Sequence, residues 1–232
     1  MVPIGGEEHM TETVDEDTSR SHEDGHAAAR RRRSVPLLIA VPLVVAALIG
    51  GYLLGRPAHP VDGSADAGFL RDMSVHHSQA VDMSLIVLEE ADDRVLRTLA
   101  TDILRTQQEQ IGRMQGWLVQ WDLPARGAQP RMAWMQGHGG HDAGGDSPER
   151  MMGMASEAEM DELRAAEDER AETLFLQLMI DHHEGGVEMA EAEARLGGEQ
   201  MVVDFAAGMA ETQRSEIELM ERMLRDRGVE PE

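Results

Sequence analysis

Cysteine and lysine are both missing from this 232-residue chain, and Phe, Tyr and Trp together supply only seven residues. Without cysteine there is neither a disulfide framework nor a thiolate metal site. Without lysine every basic residue is an arginine, and the 21 arginines face 44 acids for a formal charge of -23. Such a chain cannot neutralise a run of phosphates, so nucleic acid is excluded as a partner. An acidic surface suits cations, or serves to solvate helices. What the chain has in place of aromatics is methionine, 17 of them. Met fills irregular gaps in helical cores, and its thioether is the one soft sulfur ligand available here.

Long apolar runs are scarce as well; there is one. Residues 1–34 form an acidic tail, with scattered His9, His22 and His26, that ends in four arginines at 30–33. Lacking apolar periodicity, the tail is expected to be disordered. Residues 35–54 are then free of charge, and a run of that length matches a bilayer's hydrocarbon core. Pro36 and Pro42 lie in its first half, where membrane helices tolerate kinks. The arginines predict a single-pass anchor with a cytoplasmic amino terminus and an extracytoplasmic carboxy-terminal domain. A cleaved signal peptide is the rival, but the run is long for one and no Ala-x-Ala site follows it. Residues 55–66, rich in Gly, Pro and Ser, read as a tether.

The remainder is a duplication. An offset of 106 residues aligns Phe69 with Phe175, Met73 with Met179, His76 with His182, His77 with His183, Val81 with Val187 and Met83 with Met189. The register then holds through Gln107/Gln213 and Ile111/Ile217 to Leu118/Leu224. Each copy reads as a helical hairpin, in repeat 1 at 67–124 and repeat 2 at 156–228. The expected helices cover 67–90, about 93–121, 158–196 and 200–226. Asp92-Asp93 and Ser156 would cap helix starts, while Gly197-Gly198 and Gly228 would act as stops. Two hairpins with matching apolar faces predict an all-α four-helix bundle, preceded by the transmembrane helix. Residues 125–155, with Met132, Met135, His138, His141, Met151, Met152 and Met154, are either a soft-metal collector or a plain flexible linker.

On the wheel of the first helix, His76 and His77 straddle the middle of the apolar arc, with Met73 and Ala80 between them. Arg71, Ser74 and Ser78 fall on the opposite face. Ala80 and its counterpart Gly186 leave space between the imidazoles. Four buried imidazoles without partners would be costly, so a metal or a dense hydrogen-bond network is required. Folding each hairpin about its turn puts Gln107 level with His76, and Gln213 level with His182. Glu216 falls level with Met179. Gln107, Gln213 and Glu216 are therefore expected to orient the imidazoles. Di-iron bundles carry Glu-x-x-His on two helices. Here the same spacing is Met73-x-x-His76 and Met179-x-x-His182. Thioether with imidazole favours copper, Cu(I) above all, over zinc or iron. The expected metal ligands are His76, His77, His182 and His183, with Met73, Met83, Met179 and Met189 as soft co-ligands.

Two copies of Phe-Leu-x-x-Met-x-x-His-His-x-x-(Ala/Gly)-Val-x-Met, the second preceded by Met-x-Ser-x-x-x-Met-x-x-Leu at 154–163, resemble the DUF305 family over about residues 66–228. The resemblance implies a ferritin-like fold of two two-helix repeats in an exported bacterial protein. It also implies a link to copper binding, through the motif histidines and methionines named above. The leading expectation is a membrane-anchored protein that binds copper for sequestration, delivery or resistance. It would be a binding protein rather than an enzyme, since no nucleophile or acid/base pair presents itself. The alternatives are a ferritin-like di-metal redox enzyme and a metal-free helical interaction module.

Overall fold

A computed structural model describes residues 37–55, 59–135 and 151–231. Residues 1–56 and 57–232 form two separate units. The expected disordered tail, with its arginine cluster and the start of the apolar run, lies outside the described residues. So do His138 and His141.

The first unit contributes α1 (Leu37–Leu54), an uncharged helix with Pro42 inside it. Its apolar side chains are exposed on every side, Leu38, Leu43 and Leu48 by 61–90%. No helix among the described residues is long and apolar enough to cross a membrane. The 18 residues of α1 rise about 27 Å, against a hydrocarbon core of about 30 Å.

The second unit is all helix among its described residues. It consists of α2 (Ala65–Glu90), α3 (Arg94–Gln120), a 3-10 turn (Ala133–Met135), α4 (Glu157–Ala165), α5 (Asp168–Leu196) and α6 (Gln200–Asp226). The caps are local chemistry. The Ser64 hydroxyl accepts from the Ala67 amide, Asp93 accepts from Val95 and Leu96, and Ser156 with Glu159 forms a capping box. α2 pairs with α3 and α5 with α6 as hairpins, and the hairpins join through α2 against α5. Trp117 of α3 meets Phe205 of α6 edge to face, completing a helical bundle. Helices of this length are marginal alone. What holds them is a pair of apolar clusters, one around Met83, Ile103, Phe175 and Met220 and the other around Phe69, Met114, Met189 and Met209. Each buried Leu, Phe or Met contributes about 1.5–3 kcal/mol.

The two turns are sealed reciprocally. Asp66 at the start of α2 accepts from the Gly198 and Glu199 amides, which open α6. Glu172 at the start of α5 accepts from Asp92 and Asp93, which open α3. These groups are 106-residue equivalents, so the pseudo-two-fold extends to the caps. At the Glu172 end Arg227 also binds Asp93 at 2.6 Å and Glu172 at 2.8 Å.

Two expectations fail here. The helix predicted over 158–196 is broken at residues 166–167, and Asp168 takes φ +50°. No Gly or Pro marks the break. α5 ends where the bundle ends, and α4 folds back so that Met160 and Leu163 enter the first apolar cluster. Continued straight, those side chains would face solvent. The second failure is the outer face of α2. Arg71 and Ser74 are buried rather than solvated, because the segment after α3 lies over them. Arg71 donates to the Pro124 and Asp62 carbonyls and to the Asp62 carboxylate. Asp72, next to it, accepts from the Met132 amide and the Trp134 indole. Burial raises the Asp72 pKa, and these two bonds oppose the rise.

Candidate metal centre

Between the two apolar clusters every long helix of the bundle turns polar at one level. On α2 His76 and His77 lie between Met73 and Ala80; on α5 His182 and His183 lie between Ile180 and Met189. Gln107 interrupts α3 between Ile103 and Ile111, and Gln213 interrupts α6 between Ala210 and Met220. The four histidines are at most 1% exposed and the two glutamines 3%. The His76 and His182 rings face each other with centroids 3.7 Å apart, and each has its sequence neighbour at 6.2–6.3 Å.

Each ring uses one nitrogen, and it is the same one. His76 Nε2 donates to the Met152 carbonyl at 3.0 Å, and His182 Nε2 to the His76 carbonyl at 2.9 Å. His77 Nε2 meets Gln110 Oε1 at 2.7 Å, and His183 Nε2 meets Glu216 Oε2 at 2.8 Å. Carbonyl and carboxylate oxygens only accept, so the proton sits on Nε2 and Nδ1 is left as a bare lone pair. All four Nδ1 atoms are buried with no protein partner, and so are Oε1 of Gln107 and of Gln213. Burial pushes the His76 pKa down to about 4, against its bond to Met152, and His77 down to about 3, where His76 adds to the push. His182 is held well below 6.5, again by burial first and then by His76 and His183. At neutral pH these three rings are uncharged.

Six buried acceptors without donors cost about 1–3 kcal/mol each, which rivals a domain's whole net stability of roughly 5–15 kcal/mol. An apolar layer would be cheaper. The arrangement is acceptor-only, which is the chemistry a bound cation would satisfy.

The motif methionines are fully buried. Met83 and Met179 belong to one apolar cluster, Met73 and Met189 to the other. Each side of the histidine layer thus carries one thioether from each repeat. Among the described residues, however, no three His, Asp or Glu side chains are grouped as metal ligands. The rings would have to turn to share an ion.

The orienting partners differ from expectation by about a turn. Gln110, one turn beyond Gln107, takes the His77 proton, while Gln107 and Gln213 leave their Oε1 atoms free. Glu216 does orient a ring, that of His183. Nor does Gly186 leave open space: a Cβ there would stand 2.3 Å from Gln213 Oε1, so the Gln213 amide fills the gap.

Sequence reasoning missed the wall formed by residues 151–155. The Gln79 amide clamps both backbone groups of Ala155 at 2.8 Å. Gly153 has φ +70°, and a Cβ on it would fall 2.1 Å from the Asp181 carbonyl, so only glycine fits. Met151 is buried in the second cluster, with Met132, Met135, Met152 and Met154 packed partly against it. These methionines of the expected collector or linker fill part of the core. Gly185, where a Cβ would fall 2.2 Å from the Met152 carbonyl oxygen, was an available signal that this segment passes close to α5.

The DUF305 profile, described as a domain of unknown function, matches residues 66–224. A DUF305 protein structure from Streptomyces coelicolor is 44% identical, covering 74% of this chain and 98% of that one at a TM-score of 0.67. A DUF305 fragment from Deinococcus radiodurans is 35% identical, covering 74% and 99% at 0.58. CopM in its Cu(I)-bound form is 23% identical, covering 72% and 98% at 0.52, a likeness that shows the fold alone. No curated protein matches the chain. With a profile match over most of its length and a relative of this identity, the chain belongs to the DUF305 family.

Proposed function

We propose that this protein binds copper, as Cu(I), at the histidine layer, for sequestration, delivery or resistance. The observation that carries the reading is the set of four buried imidazoles that each bond through Nε2 and leave Nδ1 without a protein partner. His76, His77, His182 and His183 would supply nitrogen ligands, and Met73, Met83, Met179 and Met189 thioethers from either side. Soft sulfur with imidazole selects Cu(I) over hard, oxygen-preferring ions. Structures of CopM bound to Cu(I), Cu(II) and silver lend support. Met152, whose carbonyl takes the His76 Nε2 proton, and Met132 and Met154, half-buried against the second cluster, would pass the ion inward. The site would lie outside the cytoplasm, with residues 35–54 as an anchor; the Streptomyces coelicolor relative is described as a candidate secreted protein.

Anaerobic competition titration of the protein against a chromophoric Cu(I) chelator tests the assignment. Binding should be lost when all four histidines become alanine, and unchanged affinity would sink it. One observation favours a metal-free interaction module, namely that the donors are not already grouped around one point. Thermal melting that ignores both copper and chelator would select that alternative. Resistance of the protein to alkaline carbonate extraction would establish the anchor, and release would refute it.

A further inference from the structure

The 106-residue offset maps the polar layer of one repeat onto the other: His76 onto His182, His77 onto His183, Gln107 onto Gln213. Among the layer's inward-facing pairs three differ, Gln79/Gly185, Ala80/Gly186 and Gln110/Glu216, and only the last changes charge. Gln110, which takes the Nε2 proton of His77, corresponds to Glu216, which takes that of His183. Both bonds span 33 residues and join the same kinds of atom at 2.7 and 2.8 Å. At this pair shape and hydrogen bonding are thus matched, and the difference is one negative charge, whereas the Nε2 protons of His76 and His182 go to different carbonyls, those of Met152 and His76. Glu216 is 18% exposed while His183 is fully buried, so that charge sits at the rim of the layer with a buried ring in contact with it.

The other buried acids are elsewhere. Asp66 and Glu193 stand near the α5–α6 turn, Glu172 stands beside Arg227 at the opposite end, and Asp72 faces the loop over α2. On the outer faces of α5 and α6, burial first and then the Asp181, Glu221 and Glu188 carboxylates raise the Glu184 pKa, and solvent screens this group from the layer.

We propose that Glu216 is a positioning residue that matches the layer to a single monovalent soft cation and makes the second repeat its stronger half. This rests on the reading that the metal lies among the four histidines. Neutral imidazoles and thioethers bring no charge to a buried ion. One carboxylate compensates one positive charge, and a divalent ion would leave a unit charge unbalanced in a desolvated site, which is costly. A carboxylate behind an imidazole also raises the ring's basicity and fixes its orientation, so His183 is the strongest donor of the four. Gln110 orients His77 equally well and adds no charge.

Four forms of the protein test this: wild type, Glu216→Gln, Gln110→Glu, and the double variant that exchanges the two residues. Each is titrated separately with Cu(I) and with Zn(II) against chelators. Glu216→Gln should lose about 10–100-fold in Cu(I) affinity. Gln110→Glu should gain most for Zn(II), narrowing the Cu(I)-to-Zn(II) preference. The double variant should recover the wild-type preference, because the charge is conserved and only moved to the other repeat. Nitrogen–proton NMR of the metal-free protein provides a readout independent of binding. The His183 Nε2–H signal should persist in Glu216→Gln, where an amide oxygen still accepts it.

A Cu(I)-to-Zn(II) preference that ignores both single substitutions, or moves the same way in both, overturns the proposal while leaving histidine-dependent binding intact. A double variant as impaired as Glu216→Gln overturns it too, by showing that place matters and charge does not. Absence of histidine-dependent binding in the wild type overturns this inference and the copper reading together.

Discussion

Glu193 should make the protein less stable as pH rises, and one substitution should abolish the effect. The residue lies on the inner face of α5 with no exposed surface, and the partner its carboxyl finds there is another acid, Asp66. Its counterpart one repeat back is Val87, which is equally buried and has nothing to satisfy. Burial first, and then the Asp66 carboxylate, push the Glu193 pKa from 4.5 up to about 9. Between those values the folded chain holds a proton that the unfolded chain releases. The contribution of Glu193 to stability is therefore fullest below about pH 4.5 and declines until about pH 9, at about 1.4 kcal/mol per pH unit. At pH 7 the accumulated cost is on the order of 3 kcal/mol, a large share of a typical net stability. Glu193→Gln has no proton to retain. In urea denaturation followed by circular dichroism at pH 5, 6, 7 and 8, its advantage over wild type should widen with every unit. Other titrating groups cancel in that difference. Parallel curves, or an advantage that shrinks as pH rises, would refute the argument.

The histidine layer predicts the opposite trend in acid. His76, His77 and His182 have folded pKa values below 6.5, so stability is full above that pH and is lost as pH falls toward about 4. In the Glu193→Gln background, denaturation midpoints should drop steeply from pH 7 to 5, and a flat profile would contradict the assigned neutrality. Gly153→Ala should cost more than ~2 kcal/mol, because a Cβ strikes the Asp181 carbonyl and φ is positive. Hydrogen exchange should then quicken over residues 151–155, and wild-type stability would refute the close approach. Arg227→Ala should cost about 1–3 kcal/mol, leaving the buried Glu172 without its cation. Arg225→Ala, in the last turn of α6 and half-exposed, should stay within about 0.5 kcal/mol. Equal costs for the two arginines, measured by denaturation, would show that burial of Glu172 is irrelevant.

Features encoded within one or two turns of helix were legible in the sequence. Asp93, Ser156 and Gly197 mark their helix ends because each cap works on amides or carbonyls within four residues. The inward lean of His76 and His77 follows from the 3.6-residue period alone. What escaped depends on another part of the chain. Arg71 and Ser74 look solvent-facing until a segment some fifty residues later is laid over them. The break at 166–167 has no local breaker, since it arises from the length of the bundle. Pairing His77 with Gln110 rather than His76 with Gln107 is a matter of register across a turn, and a turn's geometry shifts the level by several ångströms. Gly186 reads as a vacancy when its own helix is considered, and as a socket once Gln213 is present.

The reciprocal seals at the two turns say something about how such a chain could arise. Asp66 closes the α5–α6 turn and Glu172 closes the α2–α3 turn, so neither hairpin carries the carboxylate its own turn needs. A gene encoding one hairpin would yield a product finished only by a second copy, each lending the other its first-helix acid across a two-fold axis. Fusing the copies in tandem turns that encounter into an intramolecular one, at effective concentrations in the millimolar range. Once joined, the halves no longer had to be identical. Glu193 opposite Val87, and Glu216 opposite Gln110, are differences that a symmetric pair of identical chains could not have held.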